Sequence, residues 1–149
     1  MLFRQYLFEQ EFWGSVAAGI LACCPKSGRI LIAKRSRQVM EPGTYGIVGG
    51  KIDEKDTNIQ AAALREFKEE TKYSGTMQLI PAFIYKARGF EYHNFIGILQ
   101  DEFKPQTNWE TESFHWFSIE DLKTLKNMHF GLKALLDHDF LKISQIMQN

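Results

Sequence analysis

Residues 59–71 read IQAAALREFKEET, and this stretch decides the fold. Ile59, Ala63 and Phe67 recur at a spacing of four while Arg65, Glu66, Lys68, Glu69 and Glu70 fill the other faces, so the spacing predicts an amphipathic helix from Ile59 to about Thr71. Asn58 or Thr57 can cap its start. At 3.6 residues per turn, Glu66, Glu69 and Glu70 share one face within a single turn, and the Glu66/Glu70 pair alone should cost a few tenths, roughly, of a kcal/mol. A hard divalent cation would offset that repulsion, since it takes oxygen ligands and is held by one or two carboxylates, water and substrate phosphates. The bland alternative is a solvated face in which Arg65 pairs with Glu69 and Lys68 relieves the rest.

Working upstream, the turn-rich segment RSRQVMEPGTYG feeds a short strand, Tyr45 to Val48, which ends at Gly49-Gly50. Before it, Ser15 to Cys24 and Arg29 to Lys34 flank a Pro-Lys-Ser-Gly turn and read as a hairpin. Downstream of Ser74-Gly75, Met77 to Ala87 and Tyr92 to Gln100 flank Arg88-Gly89-Phe90 as two long strands. A polar loop, DEFKPQTNWETE, leads to one more short strand, Phe114 to Phe117. Ser118 then caps a helix start, with Asp121 placed to reach back, and Leu132, Leu135, Leu136 and Ile143 keep helical spacing toward the end. Strands, a helix, strands and then helices imply an α/β fold with a mixed sheet covered by helices.

The remaining arithmetic narrows the function classes. The chain has 149 residues, 44% hydrophobic and 24% charged, which suits one domain over residues 1–149. Eighteen basic residues balance eighteen acidic ones, leaving no uniform field for a membrane surface or long nucleic acid. Aromatics at 13% and only four prolines argue against disorder. Cys23 and Cys24 are neighbours in an apolar run, so they give neither a disulfide framework nor metal-ligand spacing, and a reducing cytoplasm fits best. Met1 to Trp13 lacks the apolar stretch of a signal peptide, and no window approaches the roughly 20 apolar residues that span a bilayer. A soluble, cytoplasmic protein is expected.

The pattern Arg-Glu-x-x-Glu-Glu arises by chance at roughly one start in 10⁵, and a chain this long offers only about 140 starts. The segment Arg65-Glu66-Phe67-Lys68-Glu69-Glu70 resembles the signature of the Nudix hydrolases. Gly50 resembles that signature's opening glycine, and Asp56 stands where its first glutamate is expected. The Pro42-Gly43-Thr44-Tyr45 approach to Gly49-Gly50-Lys51, and Trp116-Phe117 before a capped helix, follow the family order, so the resemblance covers about residues 14–136. Two departures stand out. Eight residues rather than seven separate Asp56 from Arg65, so either the loop carries an insertion or Thr57 holds the glutamate register. Lys72 replaces the late glycine, so either a lysine adopts the left-handed helix end, costing about 1 to 2 kcal/mol, or the helix runs on to Ser74-Gly75.

The resemblance implies a Nudix-like α/β/α sandwich and Mg²⁺-dependent hydrolysis of a nucleoside diphosphate linked to another group, with Mn²⁺ as a second cation. By position it implies Glu66 and Glu70 as metal ligands, Glu69 as ligand or general base, a backbone carbonyl from Gly50, and Arg65 orienting the glutamates. Arg35 and Arg37 are candidates to meet phosphate bidentately, Lys51 lies beside the motif, and Glu110 and Glu112 lie in a loop where some relatives place the base. Tyr45, Phe90 and Trp109 are candidates to stack on a base. The four histidines read as structural, with His129, at a helix start, the one that could face the site. The expected partner is a small nucleotide, and a homodimer stays open. A triphosphate cleaved to monophosphate and pyrophosphate is the leading substrate class, ahead of ADP-ribose or a nucleotide sugar. The rivals of other class are a non-catalytic nucleotide sensor and a diphosphate isomerase on the same fold.

Overall fold

The structure is a computed structural model that describes residues 16–38 and 41–148. The readings placed on Met1 to Trp13, on Ser15 and on the middle of the 36–44 loop lie outside those residues. Apolar runs flanked by turn residues become β1 (Val16–Cys24) and β2 (Arg29–Arg35), an antiparallel hairpin that pairs Ala22 with Leu31. The single expected strand around Tyr45 is broken in two, β3 (Tyr45–Gly46) and β4 (Val48–Lys51). Its halves serve different neighbours: β3 pairs with β2, and β4 pairs with β1, so Gly49 and Gly50 lie within a strand rather than at its end.

The amphipathic helix α1 spans Ile59–Thr71, and the Asn58 side chain accepts the Ala61 N–H at its start. Strands β5 (Gln78–Ala87) and β6 (Phe90–Ile98) form the expected hairpin. Arg88 and Gly89 both take positive φ in its two-residue turn, the conformation that matches the strand twist. Strand β7 (Thr111–Ser118) is longer than expected and lies against β2. A capping box of Ser118 and Asp121 opens the short helix α2 (Ile119–Lys123). A break separates α2 from the terminal helix α3 (Phe130–Gln148), which starts next to His129 and is kinked at Asp139.

Strand order β3-β2-β1-β6-β5 defines the sheet, with β1 and β6 parallel and the other pairings antiparallel. Alternation along the strands sends Ile20, Ala22, Leu31 and Phe95 to one face, where they meet Ala63 and Phe67 of α1. Leu21, Cys23, Ile30 and Ile96 go to the other, against Leu122 of α2 and Leu132, Leu135 and Ile143 of α3. Two cores on the two sides of a mixed sheet make an α/β/α sandwich.

At the outer strand the ladder carries a bulge, with Ala82 and Phe83 both set against Asn94. Asn94 Nδ2 donates to the Phe83 carbonyl at 2.8 Å, and Phe83 N–H donates to Asp139 Oδ2 at 2.7 Å. Lys142 Nζ donates to the Pro81 carbonyl at 3.3 Å, so α3 satisfies backbone groups that β6 does not reach.

Candidate active site

Arg65 organises the first turns of the site. Its Nε and Nη2 donate to the two Asp56 oxygens at 2.8 and 3.0 Å, its Nη1 reaches Glu66 at 3.2 Å and Glu69 at 3.3 Å, and Nη2 also donates to the Lys51 carbonyl at 3.2 Å. The bidentate fork identifies Asp56, not Thr57, as the acid facing the arginine. Asp56 Oδ2 also accepts the Asp53 N–H at 2.7 Å. The Arg65 guanidinium holds the Asp56 carboxyl below the usual carboxylate range, while Asp56 and its acidic neighbours push the Arg65 pKa up.

The three glutamates do not share one environment. Glu69 is the outward one, its side chain 59% exposed and paired with Arg65, as the bland reading of the motif has it. Glu66 is half-buried against β4, where a side chain on Gly50 would put its Cβ 2.5 Å from the Glu66 carboxyl carbon. Only glycine leaves that space open. Glu70 is buried, and no cation among the described residues comes within ion-pairing distance of it. Burial first, and then the charges of Glu110 and Glu66, push its pKa up to about 8, partly opposed by Arg35. Burial also raises Glu66, with Arg65 opposing and Glu69 and Glu110 adding.

Glu66, Glu70 and Glu110 thus act on one another through their charges, Arg35 acts on Glu70, and Gly50 lies against Glu66. Glu110 is presented by the 103–110 loop, which is fastened to β2: the Ser36 N–H donates to the Glu110 carbonyl at 3.0 Å and Ser36 Oγ to the Trp109 carbonyl at 2.7 Å. Three candidates stand apart. Glu112 is tied to Lys34 at 3.0 Å, and Arg37 is exposed in the loop after β2. Tyr45 packs edge-on to His115 and Phe117 in the layer opposite α1. Of the other aromatics, Phe90 is core, at 1% exposure, and Trp109 is open to solvent beside Glu110. Lys51 is exposed at the end of β4.

An all-oxygen set of carboxylates raised by burial and mutual repulsion, over a glycine cradle that a Cβ would fill, fits a hard divalent cation. Among the described residues, no three His, Cys, Asp or Glu side chains converge into a ready-made cage. No described helix is long and apolar enough to cross a membrane. Glu41 holds φ 52° in the 36–44 loop and lies 3.9 Å from His129.

A family profile described as the NUDIX domain matches residues 14–138. A curated Nudix hydrolase of Caenorhabditis elegans is 28% identical over 85 residues, 56% of this chain and 23% of that protein. The chain therefore spans about a quarter of the length of that curated relative. The crystal structure of a MutT Nudix hydrolase from Burkholderia pseudomallei superposes with TM-score 0.63 at 23% identity, covering 83% of this chain and 96% of that one. A bifunctional NMN adenylyltransferase/ADP ribose pyrophosphatase from Francisella tularensis, complexed with AMP and a Mn ion, superposes with TM-score 0.70 at 16% identity, covering 94% of this chain and 47% of that one.

Proposed function

Because the chain belongs to the Nudix family, we propose that it is a divalent-cation-dependent pyrophosphohydrolase that cleaves the diphosphate bond of a nucleoside diphosphate derivative. The observation that carries this reading is the buried Glu70 carboxyl, set against Glu66 and Glu110. A fold has no structural use for such an arrangement, which costs stability until a cation relieves it. The sensor and isomerase readings need either the loss of these acids or a further acid-base pair.

Glu66 and Glu70, with Glu69 and the Gly50 carbonyl, are the groups that would hold Mg²⁺, or Mn²⁺ as in the Francisella structure. When bound, the ion supplies charge neutralisation of the diphosphate and lowers the pKa of an attacking water. Arg65 holds Glu66 in place through its fork on Asp56 and so acts through the glutamates rather than on substrate. Arg35, at the end of β2, would meet a phosphate oxygen, with Lys51 and Arg37 as outer cations. Glu110 approaches from the facing loop and is a proton acceptor in addition to Glu69; Glu112 and Tyr45 belong to the rim on the far side of β2.

The preferred substrate class is a nucleoside triphosphate cleaved to monophosphate and pyrophosphate in the cytoplasm. ADP-ribose or a nucleotide sugar is the second reading, favoured by the pyrophosphatase named in the Francisella structure. The test is a panel of triphosphates, nucleotide sugars, dinucleoside polyphosphates and ADP-ribose, with and without Mg²⁺, and with products identified. Cation-dependent monophosphate formation is expected, and tenfold higher kcat/KM on ADP-ribose than on any triphosphate would reverse the preference.

A further inference from the structure

Gly49 and Gly50 are neighbours in β4 and open to opposite faces of the sheet. A Cβ on Gly50 would meet the Glu66 carboxyl on the α1 face, and a Cβ on Gly49 would overlap the Tyr92 hydroxyl on the other. The register explains the second approach. Gly49 pairs with Gly19 of β1, and Tyr92 of β6 pairs with Ala17, which shares a face with Gly19. The phenol therefore lies diagonally across β1, where a Cβ on Gly19 would also overlap its hydroxyl and come within 3.0 Å of its Cζ. Two glycines facing each other on adjacent strands are what lets one tyrosine ring lie against the backbone. Here β4 is bare main chain with a carboxylate on one side and a phenol on the other. From the acid side it is also held by Arg65 Nη2, which donates to the Lys51 carbonyl at 3.2 Å.

We infer that Tyr92 is a positioning residue: its hydroxyl braces β4 from behind and sets how closely Gly50 meets Glu66, and with it the Gly50 carbonyl offered to the cation. This deepens the cation-dependent reading and rests on it for that last step. Strand β4 is only four residues long, and its ladder partners are Ala17 to Ile20. Ladder bonds run in the plane of the sheet, so they resist sideways shift better than displacement toward one face. A glycine pair adds no side-chain packing of its own. What lies on the two faces therefore decides where this stretch of backbone sits, and Tyr92 supplies the contact on the face away from α1. Groups that hold a ligating atom from behind are worth about tenfold or more in metal affinity.

The experiment compares the wild-type protein with Tyr92→Leu, Tyr92→Phe, Gly19→Ala and the double variant Gly19→Ala/Tyr92→Leu. It reads amide hydrogen exchange without cation, calorimetric binding of Mn²⁺ alone, and turnover. In Tyr92→Leu the β4 amides should exchange about tenfold faster while those of β2 and β7 keep their wild-type rates. Mn²⁺ affinity should fall by about tenfold, and raising Mn²⁺ should restore turnover. Gly19→Ala displaces the ring and should reproduce both effects. Adding Tyr92→Leu to it should bring no further loss, because the three atoms nearest that Cβ all belong to Tyr92. Melting temperatures check folding, and Tyr92→Phe, which loses only the hydroxyl, carries the same test with a smaller effect where Tyr92→Leu does not fold. Faster exchange throughout the sheet, or Mn²⁺ affinity within about twofold of wild type, would make Tyr92 a packing residue and overturn its positioning role. A wild-type protein that binds no Mn²⁺, with β4 alone loosened by Tyr92→Leu, would overturn the cation reading and leave the hold of Tyr92 on β4 standing.

Discussion

Glu70 is one carboxyl asked to be both buried and anionic. Its pKa is raised from 4.5 to about 8, so the sign of its effect on stability follows directly. Below the ordinary glutamate pKa both the folded and unfolded chains hold the proton and there is no penalty. As pH rises to about 8 the unfolded chain ionises first, so the metal-free fold loses stability across that window. Glu70→Gln should therefore stabilise the metal-free protein near pH 8, by on the order of a few kcal/mol, and scarcely change it at pH 4. Denaturant titrations at the two pH values check this, and turnover should fall by at least about 10² in the same variant. Cation binding at pH 7 should release protons from this cluster, seen as a dependence of calorimetric heat on buffer ionisation. Asp56 works in the opposite sense. Its depressed pKa means that its contribution is present above the ordinary aspartate pKa and lost in acid. Asp56→Asn should lower turnover by about tenfold while Thr57→Val leaves it unchanged, because only the carboxylate forks onto Arg65.

At the level of elements, the end of α1 answers a question that spacing alone left open. The helix stops at Thr71, and Lys72 takes φ 64° and ψ 20°, its N–H closing on the Lys68 carbonyl at 2.9 Å. A lysine there carries the strain that a glycine would not, so Lys72→Gly should raise stability by about 1 kcal/mol in chemical denaturation. What the sequence made legible follows from local rules. The period of Ile59, Ala63 and Phe67 gave the helix, and Ser118 with Asp121 gave a cap, because both signals act within a turn or two. The split between β3 and β4 was not legible, since it depends on two neighbours, β2 and β1, competing for one short stretch. The divergence of Glu69 from Glu66 and Glu70 was hidden for a similar reason. A helical wheel puts all three on one face, but Arg65, Gly50 and the 103–110 loop decide which of them solvent reaches. Tyr45 and Phe90, candidates to stack on a base, are assigned by the strand alternation to packed layers.

For the molecule as a whole, the two helical layers have unequal tasks. One carries the acids, and the other, through α3, fastens the outer strand: Asp139 takes the Phe83 N–H, Lys142 reaches the Pro81 carbonyl, and α3 kinks at Asp139. Among the described residues no strand pairs beyond β5, where Ile84 is 38% exposed, and an edge of this kind is a template on which the β5 of another molecule can add. Asp139 holds the Phe83 N–H of that strand. Asp139→Ala leaves one part-buried donor bare, at a cost of about 1 kcal/mol. The variant should also scatter light at concentrations where the wild-type chain stays clear, while the material still dispersed retains its turnover. Loss of clarity with turnover retained would make the colloidal behaviour of the protein a property of the layer remote from the acids, separable from its chemistry.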